Sequence, residues 1–185
     1  CVRANNDGTK LYVVCSATDK IYEYDLSTAY DISTASYNNV NFAVTQDNNP
    51  RGIFFKSDGQ TMYLAAGSTH DKIWQYSLST AWDLSTISYA NKVSPTVYAQ
   101  TGSWPQDVVF VSDGAKMLVL GQGNKALYQY NLTTAWDVST ASYASAYFSV
   151  NSQDTSPAGL TLHPADPSKL FVAGNVNGRI VQYNI

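Results

Sequence analysis

The sequence predicts an all-β protein assembled from repeats of about fifty residues, and three recurrences predict it. Leu26, Leu78 and Leu132 each open a hydroxyl-rich stretch: DLSTAYDISTASY at 25–37, SLSTAWDLSTISY at 77–89 and NLTTAWDVSTASY at 131–143. Pro50, Pro105 and Pro157 lead PRGIFF, PQDVVF and PAGLTL, and Asp-Gly pairs fall at 7–8, 58–59 and 113–114. The three landmarks are unrelated in chemistry yet share one period of 51 to 55 residues.

Each repeat reads as four strands. GIFF and DVVF are short runs of β-formers that end at an SDG turn. TMYLAAG and KMLVLGQG follow as second strands closed by Gly, and DKIWQYSL and ALYQYNL alternate apolar and polar positions as third strands. After the hydroxyl-rich link, ISYANKVSPTVYAQ and ASYASAYFSVNSQ form the fourth. No stretch sustains a 3.6-residue period, and Gly, Pro and Asn interrupt every window long enough for a helix. Four antiparallel strands in about 40 to 55 residues is the span of a β-propeller blade. A lone sheet cannot bury both faces, and stacking blades around an axis covers each with the next.

The expected architecture is one propeller over 1–185, with blades at about 1–48, 49–103, 104–156 and 157–185, the last incomplete. Cys1-Val2 matches Gly52-Ile53, RIVQYNI matches a third strand, and YNNVNFAVTQ is the first blade's own fourth strand. These three and a half blades cannot close neatly on themselves. A larger ring, most simply seven-bladed, or a partner supplying the remainder is expected, since an open blade edge invites aggregation. The chain opens on Cys1 rather than Met, which reads as a processed form or a fragment.

The hydroxyl-rich link is expected to serve the blade. Ser and Thr bond nearby backbone and hold a compact turn. Tyr30, Trp82 and Trp136 are expected to plug the gap between sheets, and Asp31, Asp83 and Asp137 to accept turn N–H groups.

Composition narrows the function classes. The 185 residues are 44% hydrophobic and 14% charged, with net charge −3 and pI about 5.1. The 11 Lys and Arg are scattered singly, so no basic stripe meets nucleic acid or an anionic membrane. No apolar run approaches the roughly 18 residues of a membrane span. Cys1 and Cys15 cannot build a four-thiolate metal site. They fall roughly opposite one another about the Asp7-Gly8 turn, so a disulfide is open if the register is exact, but Cys15 aligns with Ala66, Gly121 and Gly174, small residues, which favours a free, buried thiol.

The run FKSDGQTMYLAAGSTHDKIWQYSLSTAWDLSTISY and its counterpart FVSDGAKMLVLGQGNKALYQYNLTTAWDVSTASY resemble propeller repeats of marine bacteriophage virion proteins and of some extracellular bacterial proteins. HPADPSKLFVAG is more distantly similar to surface-protein propellers with a Tyr-Val-Thr-Asn signature. The resemblance covers essentially the whole chain. It implies an extracellular or virion-borne binding or structural module and carries over no catalytic residues.

In a propeller the fourth-to-first and second-to-third links share the usual ligand face, and residues that differ between blades are the informative ones. Arg51, Trp104, Gln106 and Asp107 are such residues, and His70 with Asp71 stands in a second-to-third link. Trp104 offers a platform for a sugar ring or a partner side chain, or a cap on the channel mouth. Arg51 suits a carboxylate, or local pairing with Asp47. His70 reads mainly as a solvated loop residue, because a general base needs an orienting partner. His163, before Pro164 in an enlarged turn, reads as structural. Asp47 and Asp154 suit loop turns better than Ca²⁺. Asn131 opens an Asn-Leu-Thr glycosylation sequon. No cofactor or metal is expected, and no Gly-x-Ser-x-Gly, His-Glu-x-x-His or nucleotide-binding motif is present.

The leading expectation is therefore a non-enzymatic structural or attachment module, with other protein subunits and a cell-surface glycan as its partners. The alternative is a propeller hydrolase of the lactonase kind with a central metal. That chemistry needs several converging ligands, and the first strands offer only Asp107 near the axis.

Overall fold

The computed structural model describes residues 1–67 and 70–185. Its first sheet is β1 (Val2–Ala4), β2 (Lys10–Cys15), β3 (Lys20–Leu26) and β4 (Ala35–Ala43). The second is β5 (Pro50–Phe55), β6 (Thr61–Ala66), β7 (Lys72–Leu78) and β8 (Ile87–Val93). The third is β9 (Pro105–Val111), β10 (Lys116–Gly121), β11 (Ala126–Leu132) and β12 (Ala141–Ser149). The fourth has three strands, β13 (Pro157–His163), β14 (Asp166–Gly174) and β15 (Ile180–Asn184). Each sheet is antiparallel with its strands in chain order, so the fold is all-β and its four units are propeller blades, a partial ring.

Three apolar layers lie between successive blades. Tyr12, Ile21, Ile53, Leu64 and Leu84 fill the first, Tyr63, Ile73, Val108, Val119 and Val138 the second, and Val109, Leu120, Leu127, Leu160 and Leu170 the third. Alternation along each strand sends one set of side chains to the preceding blade and the other to the next.

The hydroxyl-rich links fold alike. Asp31, Asp83 and Asp137 each cap a one-turn 3₁₀ helix, accepting from the N–H of Ser33, Ser85 and Ser139 at 2.9 to 3.1 Å. Thr34, Thr86 and Thr140 close the loop by accepting from the N–H of Thr28, Thr80 and Thr134. The aromatics before the caps lie directly over Gly8, Gly59 and Gly114, all at positive φ, where a Cβ would collide with the ring. Trp136 also reaches the preceding blade, 6.4 Å from the rings of Phe54 and Tyr63.

One local expectation is corrected. The fourth strand of the second blade ends at Val93, and the expected continuation contains a one-turn helix, Tyr98–Thr101. Pro95 has no N–H for a ladder and turns the chain out of the sheet. The thiols of Cys1 and Cys15 are free. Val2 faces Val13 and the N–H of Val14 donates to the carbonyl of Cys1, so Cys15 lies one residue beyond the position opposite Cys1.

Candidate active site

The innermost strands β1, β5, β9 and β13 are joined by one ion pair. Arg3 Nη2 donates to Asp107 Oδ2 at 2.7 Å and to the carbonyl of Leu160 at 2.6 Å, while its Nε donates to the carbonyl of Ile53 at 3.0 Å. Asp107 also accepts from the N–H of Leu160 and of Val108. Arg3, Ile53, Asp107 and Leu160 come from four different blades, so this pair pins all four inner strands at the axis. Gly52 makes room for it, since a Cβ there would strike Asp107.

Asp107 is 1% exposed, which corrects the expectation that it meets a ligand. Burial pushes its carboxyl up, opposed by the Arg3 charge and the two N–H donors. Its oxygens are engaged by protein, and among the described residues no three His, Cys, Asp or Glu side chains cluster to hold a metal. The described residues therefore gather no ligand set for a metal at the axis.

Arg51, Trp104 and Gln106 do come together, at the rim where strands β5 and β9 begin. The Arg51 guanidinium lies 4.4 Å above the Trp104 ring and donates from Nη1 to Gln106 Oε1 at 3.4 Å. Among the described residues it forms no ion pair, and its enclosed Nε has no hydrogen-bond partner. Burial lowers its pKa, opposed by the nearby charge of Asp71. The local pairing with Asp47 that the spacing allowed is not among its contacts. Gln106 Nε2 donates to Gln122 Oε1, and Gln122 Nε2 donates to Ser156 Oγ at 3.1 Å, extending a polar chain from the second blade to the fourth.

Trp104 is 42% exposed and left-handed, with φ of 49°. Its N–H donates to Asp71 Oδ1 at 2.9 Å, which ties the rim of the third blade to the second-to-third link of the second. Burial raises the Asp71 pKa, opposed by that N–H. His70, beside Asp71, has a half-exposed side chain in its link. Its Nδ1 lies 3.6 Å from Asp47 Oδ2, which comes from the first blade's exit loop. At that separation the two groups do not hydrogen-bond, so the half-exposed imidazole has a buried carboxylate nearby rather than a bonded partner.

Asp154, by contrast, spends its oxygens on the N–H groups of Ser156, Val176 and Asn177, as a loop organiser. Asp47 as the partner of His70, Gln122, Ser156 and Arg3 were not singled out in the sequence. Gln122 does stand in a link of the ligand face, but its bond to Ser156, like the pairings of Asp47 and Arg3, crosses between blades and leaves no local pattern.

A propeller with a polar, arginine-bearing rim and an enclosed axis is the class these features define. The chain belongs to the lactonase, seven-bladed β-propeller family, whose model matches residues 1–184. No curated protein sequence matches it. Among solved structures, a Lactobacillus plantarum protein is similar over 100% of this chain and 50% of its own, at 18% identity and a TM-score of 0.65. A proposed 6-phosphogluconolactonase from Bacteroides uniformis is similar at 14% identity and 0.64, covering 100% and 49%. The periplasmic gluconolactonase of Pseudomonas aeruginosa is similar at 15% and 0.58, covering 100% and 53%. Identities this low carry the fold alone, and the chain spans about half the length of these structures. The family overturns the leading expectation of a non-enzymatic attachment module and favours the hydrolase alternative. Near-identical blades carry no catalytic motif from which this could be read.

Proposed function

We propose that the chain forms about half of a lactonase-type propeller hydrolase that opens a cyclic ester at this rim. Family membership supports the reaction class, and the single structural observation carrying the site is Arg51. A partly buried guanidinium with no carboxylate partner among the described residues is poised for an anion, either the developing oxyanion of ester cleavage or an acidic group of the substrate. Gln106, Gln122 and Ser156 supply donors and acceptors suited to sugar hydroxyls. In this reading His70, with Asp47 nearby, takes a proton from the attacking water, the carbonyl oxygen gathers charge against Arg51, and the proton returns from the imidazolium to the ring oxygen as the ester C–O bond breaks, leaving the open-chain hydroxy acid.

Purified protein assayed against γ- and δ-aldonolactones, with and without a phosphate group, tests this. Arg51→Gln is expected to lower kcat/KM by about 10² to 10³, and His70→Asn by a similar factor of about 10² to 10⁴. Absence of turnover above the spontaneous rate on every lactone, or variants as active as the parent, would refute it. The extracellular or virion setting and the partner subunits implied by the repeat resemblance remain part of the proposal, supported by those repeats alone.

A further inference from the structure

The inner strands carry the Arg51 rim where they begin, and a second cavity lies where they end. Phe54 and Phe55 of β5, Val109 of β9 and Leu162 of β13 line this space of about 320 Å³. Trp82 and Trp136 line it too. Each indole is seated over a tight Asp-Gly turn, at Gly59 and at Gly114, and each is only half-buried. The same contact that fixes the turn therefore holds an aromatic face ready at the cavity.

One wall departs from the repeat. β14 runs for nine residues, against six in β6 and six in β10. This longer hairpin puts Pro164 and Pro167 exposed at the cavity's edge, beside His163. The N–H of Ala165 donates to His163 Nδ1 at 3.2 Å, so a neutral imidazole carries its proton on Nε2, as a donor.

The polar groups are few and of one kind. Among the described residues that line the cavity there is no Asp or Glu, and Arg3 alone carries a full charge. Asp107 and the Leu160 carbonyl occupy its Nη2, and the Ile53 carbonyl occupies its Nε. Nη1 meets the Val2 carbonyl at 3.5 Å, beyond a good N–H···O distance, and so keeps donor capacity. A cavity with aromatic walls and unspent donors suits a flat apolar body that brings its own acceptor.

We propose that this cavity binds a small aromatic carboxylate, at a site separate from the rim. The ring lies against the indoles of Trp82 and Trp136, and the carboxylate accepts from Arg3 Nη1.

The inference does not depend on the lactonase reading. Its test uses the 185-residue chain with isotope-labelled tryptophan, whose four indole N–H resonances report each ring separately. Titration with para-fluorobenzoate is expected to shift the Trp82 and Trp136 resonances saturably and to leave Trp104, at the rim, in place. The neutral para-fluorobenzamide is expected to bind about tenfold more weakly, as for the loss of one charge-assisted hydrogen bond. Thr161→Trp, at an exposed position of the cavity wall, is expected to fill the space and abolish the shifts. Arg3→Met with Asp107→Leu removes the donor without leaving a buried charge, and is expected to bind acid and amide alike. Shifts confined to Trp104, no saturable shift, shifts that survive Thr161→Trp, or an amide that binds the parent chain as tightly as the acid would each overturn the proposal.

Discussion

Arg3 and Asp107 show how one pair governs several blades. Removing one member leaves the other charge enclosed, so Asp107→Ala is expected to cost about 3 to 5 kcal/mol in urea unfolding. The double change Arg3→Met with Asp107→Leu is expected to recover most of that, because apolar replacements of similar volume remove both desolvation penalties. A double variant as unstable as the single one would show that the pair acts through something other than mutual neutralisation. Asp107 was legible as a residue near the axis, since it begins an inner strand and has no counterpart in the other blades. Its partner was not legible. Arg3 lies 104 positions away, and nothing local to VRANND distinguishes it from a surface arginine.

The hydroxyl-rich link is the element most fully readable from sequence. Its Asp, Ser and Thr spacings encode a capped turn whose hydrogen bonds run within ten residues, and the three copies fold alike. Asp83→Ala is expected to cost about 1 kcal/mol by loss of the cap, read from the midpoint of chemical unfolding. Hydrogen bonds from Ser85 hold the Asp83 carboxyl below its ordinary value. Its contribution is therefore complete above the unfolded value of about 3.9 and is lost as pH falls through the lower folded value. Asp83→Asn keeps an acceptor but removes the titration. It is expected to flatten the dependence of stability on pH below about 4, and an unchanged acid limb would contradict this assignment. The short β8 and the helical turn at Tyr98–Thr101 were the least readable elements, because a local run of β-formers does not show where the neighbouring strand stops offering partners.

At the scale of the molecule, three apolar layers couple each blade to its neighbours, while the axial pair adds a link from the first blade to the fourth. Blade stacking alone makes stability a sum of nearest-neighbour terms. In Asp107→Ala, hydrogen exchange is expected to accelerate first in β13 to β15, which Arg3 and Asp107 hold through Leu160. Uniform acceleration across all four blades would argue that the ring opens as a single unit. The same long-range gathering hides the rim from a reading of the sequence. Arg51, Trp104, Gln106 and His70 were visible as departures from the repeat, but a rim built by three blades gives a sequence reader only isolated residues.

Sequence by itself determined the period, the strands of each blade, the capped links and the incomplete ring, because these rest on side-chain alternation and on hydrogen bonds between close neighbours in the chain. Tertiary structure alone decided that Asp107 is enclosed by Arg3, that Arg51 stacks on Trp104, and that Asp47 faces His70. Each of these is a meeting of side chains from different blades, and their distances are fixed by how the sheets stack around the axis rather than by anything carried within one repeat.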